Sequence, residues 1–267
     1  MDLYFLPLAG SLASRIALYE AGAEARYIEV DPNTKCTSNG DDFAEIYPLA
    51  LVPLLRLEDG SLLGENAAVL QYIANRYAEA RLAPIDQIER ARLQQWLSFT
   101  STELYQGLFC QLFDQDAPEG TRVQALNKSK SRLNYLDDQL SGREFLLDCF
   151  TVADAYLYTV LSWSVPTRVP LTPYPSIKKY CQRLRRRPSI AAAFQEELAL
   201  YRVQLAHHRD GVRLTRDTDL RTFCKIEFFG PSRQSRKCPD IPQASLTPPK
   251  CLQPVGGRLC GQLRTRS

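Results

Sequence analysis

The chain has 267 residues with 33 Lys+Arg against 30 Asp+Glu, a net charge of +3, and a hydrophobic fraction of 45%. That is a soluble globular composition with room for one large or two modest domains, and no run approaches the roughly 20 apolar residues of a membrane span. The basicity is confined to the end of the chain, with 12 Lys+Arg against 5 Asp+Glu from His207 onward and 21 against 25 before it, so the body has no nucleic-acid footprint. The two histidines are His207 and His208, which excludes from the body a histidine base, a Ser-His or Cys-His pair and a His-ligated metal. Cys36, Cys110, Cys149 and Cys181 have no metal-ligand spacing, and Cys224, Cys238, Cys251 and Cys260 match no common zinc pattern.

The start, MDLYFLPLAG, lacks a basic segment and a long apolar run. It reads as a first strand over 3–6 and not as a signal peptide, which points to the cytosol. Ser11 and Ser14 are placed to cap a helix with Leu12, Ile16, Ala17 and Leu18 on its apolar face and Gly22 at its stop. Residues 26–30 alternate as a half-buried strand does. A polar loop over 32–40 then leads to a short helix over 41–47, closed by Pro48.

Residues 51–72, LVPLLRLEDGSLLGENAAVLQY, carry the first sign of chemistry. Val52-Pro53 precedes an apolar strand. An X-Pro bond is where cis peptides occur, and the residue before it is held extended. Val52 can then offer its N–H and C=O to a peptide-like ligand. Asp59-Gly60 makes a hairpin turn into a second strand, 61–64. Glu65-Asn66 opens a helix with Ala68, Val69, Tyr72 and Ile73 at core spacing, and its first amides and dipole end favour an anion such as a carboxylate. An ordinary hairpin followed by an N-capped helix would read the same way.

From Ala80 the period becomes helical. A long helix runs from Ile85 to about Phe113, with Leu93, Trp96, Leu97, Leu104, Leu108 and Leu112 on one face, and a second spans 123–140. Thr151 and Asp154 have capping-box spacing ahead of a helix over 155–164 that is apolar on nearly every side, the buried centre of an all-α domain. Helices at 177–186 and 189–200 are split by Pro188. After about His208 prolines, arginines and small residues dominate, and 208–267 is expected to be a disordered or weakly attached tail. The fold class is α/β plus all-α: a thioredoxin-like βαβαββα domain over 1–79 and a helical domain over 86–205.

This order of elements, with Val-Pro before the third strand and an internal T-x-x-D box, resembles the cytosolic glutathione transferases over about residues 1–202. It is most similar to the bacterial beta class, through Pro7-Leu8-Ala9-Gly10-Ser11-Leu12-Ala13, Asn39-Gly40-Asp41-Asp42, Gln71-Tyr72, Leu82-Ala83-Pro84, Thr102-Glu103-Leu104 and the segment 150–156. The resemblance implies that glutathione, the co-substrate, pairs its cysteinyl backbone with Val52 beside Pro53. Its γ-glutamyl end would lie at Glu65 and Asn66 and its glycyl carboxylate near Lys35. It also implies a homodimer, whose partner subunit would add polar groups at positions matching Ser98, Thr102, Glu103 and Tyr105. No other cofactor, metal, nucleic acid or membrane partner is expected.

The departures concern the thiol. The beta class usually carries cysteine where Gly10 stands, histidine at Tyr105 and lysine at Gln106, so a mixed disulfide at that site is expected to be absent. A free thiol of pKa about 8.5 is only a few per cent ionised at neutral pH, and lowering it by about two units requires roughly 2.7 kcal/mol. Ser11, at the start of a helix, is the first candidate donor, with Tyr105 and Tyr4 as second choices. Phe5, Leu8, Tyr105, Leu108, Phe109, Phe113 and Trp163 are candidates for an apolar cleft taking an electrophilic small molecule. The implied activity is glutathione transfer to that electrophile. A non-catalytic binding or interaction protein on the same scaffold stays open, as does a specialised dehalogenase, isomerase or lyase.

Overall fold

The computed structural model describes residues 1–114 and 116–211, with side chains as far as Ala206. The tail expected over 208–267 lies outside the described residues from Val212 onward.

A four-stranded sheet has the order β2-β1-β3-β4. β1 (Asp2–Phe5) runs parallel to β2 (Arg26–Glu29) and antiparallel to β3 (Leu54–Arg56), which pairs antiparallel with β4 (Leu62–Leu63). Alternation divides β1 between two cores. Leu3 and Phe5 face the main core, while Tyr4 joins Ile28, Val30, Phe43 and Leu54 on the other side, where α2 (Phe43–Ile46) covers it. Being central, β1 is buried along its whole length. Its Asp2 is satisfied by Arg26 through two bonds of 2.7 and 2.8 Å.

α1 (Ser11–Glu20) crosses from β1 to β2, and α3 (Asn66–Arg76) packs beside it. Neither Ser11 nor Ser14 caps α1, contrary to the sequence expectation: Gly10 occupies the N-cap, and both serines are buried within the helix. Every residue from Ser11 to Leu18 is buried, because α7 (Val152–Ser162) and α9 (Pro188–Gly211) also lie against α1.

The long helix expected from Ile85 is not uniform. α4 (Gln87–Phe99), capped by Asp86 on the Ile88 and Glu89 amides, opens into wide π-type turns over Thr100–Phe109 and closes as α5 (Cys110–Phe113). Such widening recurs at functional positions, and here it carries Tyr105. α6 (Glu119–Gln139) packs against this stretch. α7 (Val152–Ser162) is buried from Val152 through Leu161, as its all-round apolar sequence requires. Thr151 and Asp154 form its capping box. The Asp154 carboxylate accepts from the N–H groups of Leu146 and Thr151 (both 2.9 Å), from Thr151 Oγ1 (3.0 Å) and from Tyr180 Oη (2.9 Å). α8 (Pro175–Arg185) and α9 (Pro188–Gly211) complete the helical part, each opening on a proline that preorganises its first turn.

Candidate functional site

One edge of the site is the approach to β3. The Val52–Pro53 peptide is cis. Val52 is half-buried, and neither its N–H nor its C=O has a backbone partner among the described residues. After β4, Glu65 stands at the N-cap of α3 with φ 62°, in the left-handed region. Residues are held in that conformation where surrounding structure over-determines them. The Glu65 carboxylate is exposed, and the first α3 amides lie beside it. An unpaired strand edge, a carboxylate and a helix start together suit a zwitterionic peptide.

The second part is the loop from β1 to α1. Ser11 is buried here with its hydroxyl fully engaged: Oγ accepts from the Leu6 N–H (3.2 Å) and donates to the Leu6 C=O (3.1 Å). The proton proposed for a thiolate is thus already committed to the chain's own carbonyl, and Ser11 is corrected from donor to loop brace. Leu8 has φ 61°. Its N–H donates to Glu197 Oε2 (2.7 Å), and its C=O accepts from Trp163 Nε1 (2.9 Å). Asn66 is buried, with Nδ2 donating to the Gly10 C=O (2.7 Å) and Oδ1 accepting from Ser14 Oγ (3.2 Å). The N–H groups of Gly10 and Ser11 have no backbone acceptor among the described residues, so the start of α1 presents them with the positive end of its dipole.

The third part is an aromatic wall. Tyr105, Phe109 and Phe113 surround the Trp163 ring at centroid distances of 5.4, 5.9 and 5.7 Å. Tyr105 is half-buried and Phe113 is 45% exposed, so these two reach the surface, whereas Phe5, Leu108 and Phe109 are fully buried core and Leu8 and Trp163 nearly so, contrary to the expected lining. Phe5 lies against the Arg15 guanidinium at 4.3 Å. Tyr4 packs on Phe43 at 5.4 Å in the second core, which removes it as an activator. Burial, then the neighbouring Cys110 thiol with which it shares a hydrogen bond, and then the Glu65 charge hold the Tyr105 phenol above its ordinary pKa. It therefore keeps its proton at neutral pH. Burial pushes Tyr156 up to about 12, with Tyr105 and Glu65 adding to the rise. Glu65 thus lies within electrostatic reach of this wall.

The remaining expected residues fall in two places, Lys35 in one and Ser98, Thr102 and Glu103 together in the other. Lys35 is exposed in the loop after β2. Ser98 and Thr102 are exposed, Thr102 Oγ1 donating to the Ser98 C=O at 3.0 Å, and Glu103 pairs with Arg132 of α6 at 2.9 Å. Glu197 was not anticipated. Its signal was present: Ile190, Phe194 and Glu197 fall on one helical stripe, and a carboxylate on an apolar stripe needs a buried partner. Among the described residues, no group of His, Cys, Asp and Glu is arranged to hold a metal, and no helix is long and apolar enough to cross a membrane.

Comparison with known proteins agrees with this geometry. The glutathione S-transferase N-terminal domain family matches residues 11–76, and the C-terminal domain family matches 99–188. The chain is 36% identical over 199 residues to the glutathione S-transferase GstA of Escherichia coli O157:H7, covering 74% of this chain and 98% of the relative. A sphingomonad glutathione S-transferase complexed with glutathione superposes with a TM-score of 0.71 at 36% identity, covering 74% of this chain and 98% of that one. The beta-class enzyme of Sphingomonas chungbukensis gives 0.70 at 38%, with the same coverage. The chain belongs to the glutathione S-transferase family, with the thioredoxin-like and helical parts that define its fold. Its function is that of a glutathione transferase.

Proposed function

We propose that glutathione lies along the edge from Val52 to Asn66 and presents its sulfur to the start of α1 at Gly10, for attack on an apolar electrophile held against Tyr105 and Phe113, which Trp163 backs. The observation that carries this reading is the Val52 backbone, which has no backbone partner among the described residues, in a domain whose α3 opens on the Glu65 cap. Val52 would add the cysteinyl backbone as an extra strand. Glu65 would take the ammonium, the first α3 amides the adjacent carboxylate, and Lys35 the glycyl carboxylate. Pro53 holds Val52 in place, and Ser98, Thr102 and Glu103 are assigned to the polar rim that a second subunit of a homodimer would share.

The thiolate would be stabilised by the free Gly10 and Ser11 amides and by the Tyr105 hydroxyl across the cleft. Residue 10 has no thiol, so the reaction is transfer to carbon rather than disulfide exchange. Glutathione is the co-substrate and no resident cofactor takes part. Among the described residues Cys36, Cys110, Cys149 and Cys181 form no disulfide, which suits a reducing, cytoplasmic setting. The test is calorimetric titration of glutathione with conjugation of a chlorodinitrobenzene-type probe. Glu65→Gln is expected to weaken glutathione about 10- to 100-fold, the loss of a charged hydrogen bond. Wild-type affinity in that variant would remove Glu65 from the binding site.

A further inference from the structure

The loop between β1 and α1 carries Gly10, yet two of its strongest restraints come from far along the chain. Leu8 holds a left-handed backbone at φ 61°, a conformation that persists only when neighbours impose it. Both Leu8 backbone groups are taken by helical-domain side chains: the N–H by Glu197 of α9 at 2.7 Å and the C=O by the Trp163 indole at 2.9 Å. Glu197 is fully buried. It is backed by Arg15, itself 3% exposed and held between the Phe5 and Tyr27 rings at 4.3 Å each, with Arg15 Nε 3.3 Å from Glu197 Oε1. A carboxyl group set this deep beside a guanidinium is expensive to build, and the acceptor oxygen it delivers to the site loop is the one on Leu8.

We propose that Glu197 is a positioning residue: through Leu8 it sets the course of the loop into Gly10, and so the geometry at the sulfur of bound glutathione. Trp163 is its counterpart on the carbonyl side and also packs behind Tyr105 and Phe113, so one tether serves both substrates. The consequence for the sulfur rests on the glutathione reading above; the tether itself does not. The loop contributes to the thiol's surroundings, whereas the Val52 to Asn66 edge holds the rest of the peptide. Releasing the tether should therefore change thiol ionisation more than glutathione affinity.

Two measurements on the full chain test this. Amide hydrogen exchange over 6–11 should accelerate about tenfold in Glu197→Ala and in Trp163→Phe, the loss of one hydrogen bond each, with exchange in α6 unchanged. Glu197→Gln, which retains an acceptor for Leu8, should restore most of the protection. In parallel, ultraviolet absorbance of the bound thiolate against pH should show a higher apparent thiol pKa in Glu197→Ala and Trp163→Phe, with glutathione affinity within about threefold of wild type. Unchanged loop exchange in both variants overturns the proposal, as does unchanged thiol ionisation at unchanged affinity. Should Glu197→Ala not fold, Trp163→Phe against Glu197→Gln carries the same comparison. If wild-type protein does not bind glutathione, the binding assignment fails and the exchange measurement alone decides the tether.

Discussion

Asn66 Nδ2 donates to the Gly10 carbonyl at 2.7 Å and lies 2.8 Å from the point where a β-carbon on residue 10 would stand. The two residues are complementary, the amide filling the space that a side chain at position 10 would need. Gly10→Cys alone should therefore cost about 1–3 kcal/mol, read as a Tm drop of roughly 2–4 °C per kcal/mol. Pairing it with Asn66→Ala should cost less than the sum of the two single changes, a coupling of about 0.5–3 kcal/mol. Strict additivity in that cycle would show that the residues do not compete for space.

Ser11→Ala should act on stability and not directly on the thiol. It leaves the Leu6 N–H and C=O short of a partner each, at about 1–3 kcal/mol. Tyr105→Phe should act mainly on the reaction, slowing conjugation by about tenfold or more through loss of a donor to developing charge, with stability lowered only by the hydrogen bond shared with Cys110, about 0.5–1.5 kcal/mol. If Ser11→Ala abolishes turnover in a protein of normal stability and loop structure, the roles assigned to the two residues are exchanged.

Asp154→Ala should be among the most damaging single changes. It strips four donors of their acceptor inside the core, Leu146 N–H, both Thr151 groups and Tyr180 Oη. With half of the α7 capping box lost as well, a loss of about 3–5 kcal/mol is expected from urea unfolding. A loss below about 1 kcal/mol would show that α7 does not depend on the box.

Burial pushes the Glu197 carboxyl up to about 8, against the pull of Arg15 and the Leu8 amide, with Glu196 and Glu29 adding to the rise. The folded pKa lies above the unfolded value of about 4.3. The folded state thus binds a proton that the unfolded state releases over this interval, so the contribution is full below about pH 4 and is lost as pH rises toward 8. Relative to Glu197→Gln, wild-type stability should fall between about pH 5 and pH 8 and level off above. Urea melts across that range check it; a difference that rises with pH would mean that Arg15 dominates.

Much of the fold could be read from local chemistry. Asp59-Gly60 makes the expected hairpin turn, with Gly60 at φ 84°, the Val52–Pro53 bond is cis, and Thr151 with Asp154 caps α7. Each depends on residues a few positions apart. The direction of the Ser11 hydroxyl was not legible, because helix-start serines usually cap and this one is turned inward by the loop ahead of it. Nor were the wide turns over Thr100–Phe109, whose apolar spacing scans as an ordinary helix. The contacts of Asn66 with Gly10 and of Glu197 with Leu8 span 56 and 189 residues, and no periodicity encodes such a meeting. α9 also runs past the expected end at Leu200 to Gly211.

The anchoring of Leu8 from α9 bears on how the protein comes to be made. Synthesis proceeds from the N-terminus at about 5–20 residues per second, and domains tend to fold as they emerge. The sheet, α1 and the Val52 to Asn66 edge are all translated within the first third of the chain, but the carboxylate that fixes the turn into Gly10 arrives some 130 residues after Asn66. A nascent chain halted before α9 would therefore hold the Val52 to Asn66 edge complete beside an untethered turn. On the positioning role proposed for Glu197, the geometry at the sulfur would be acquired last, when that residue meets Leu8 and Arg15.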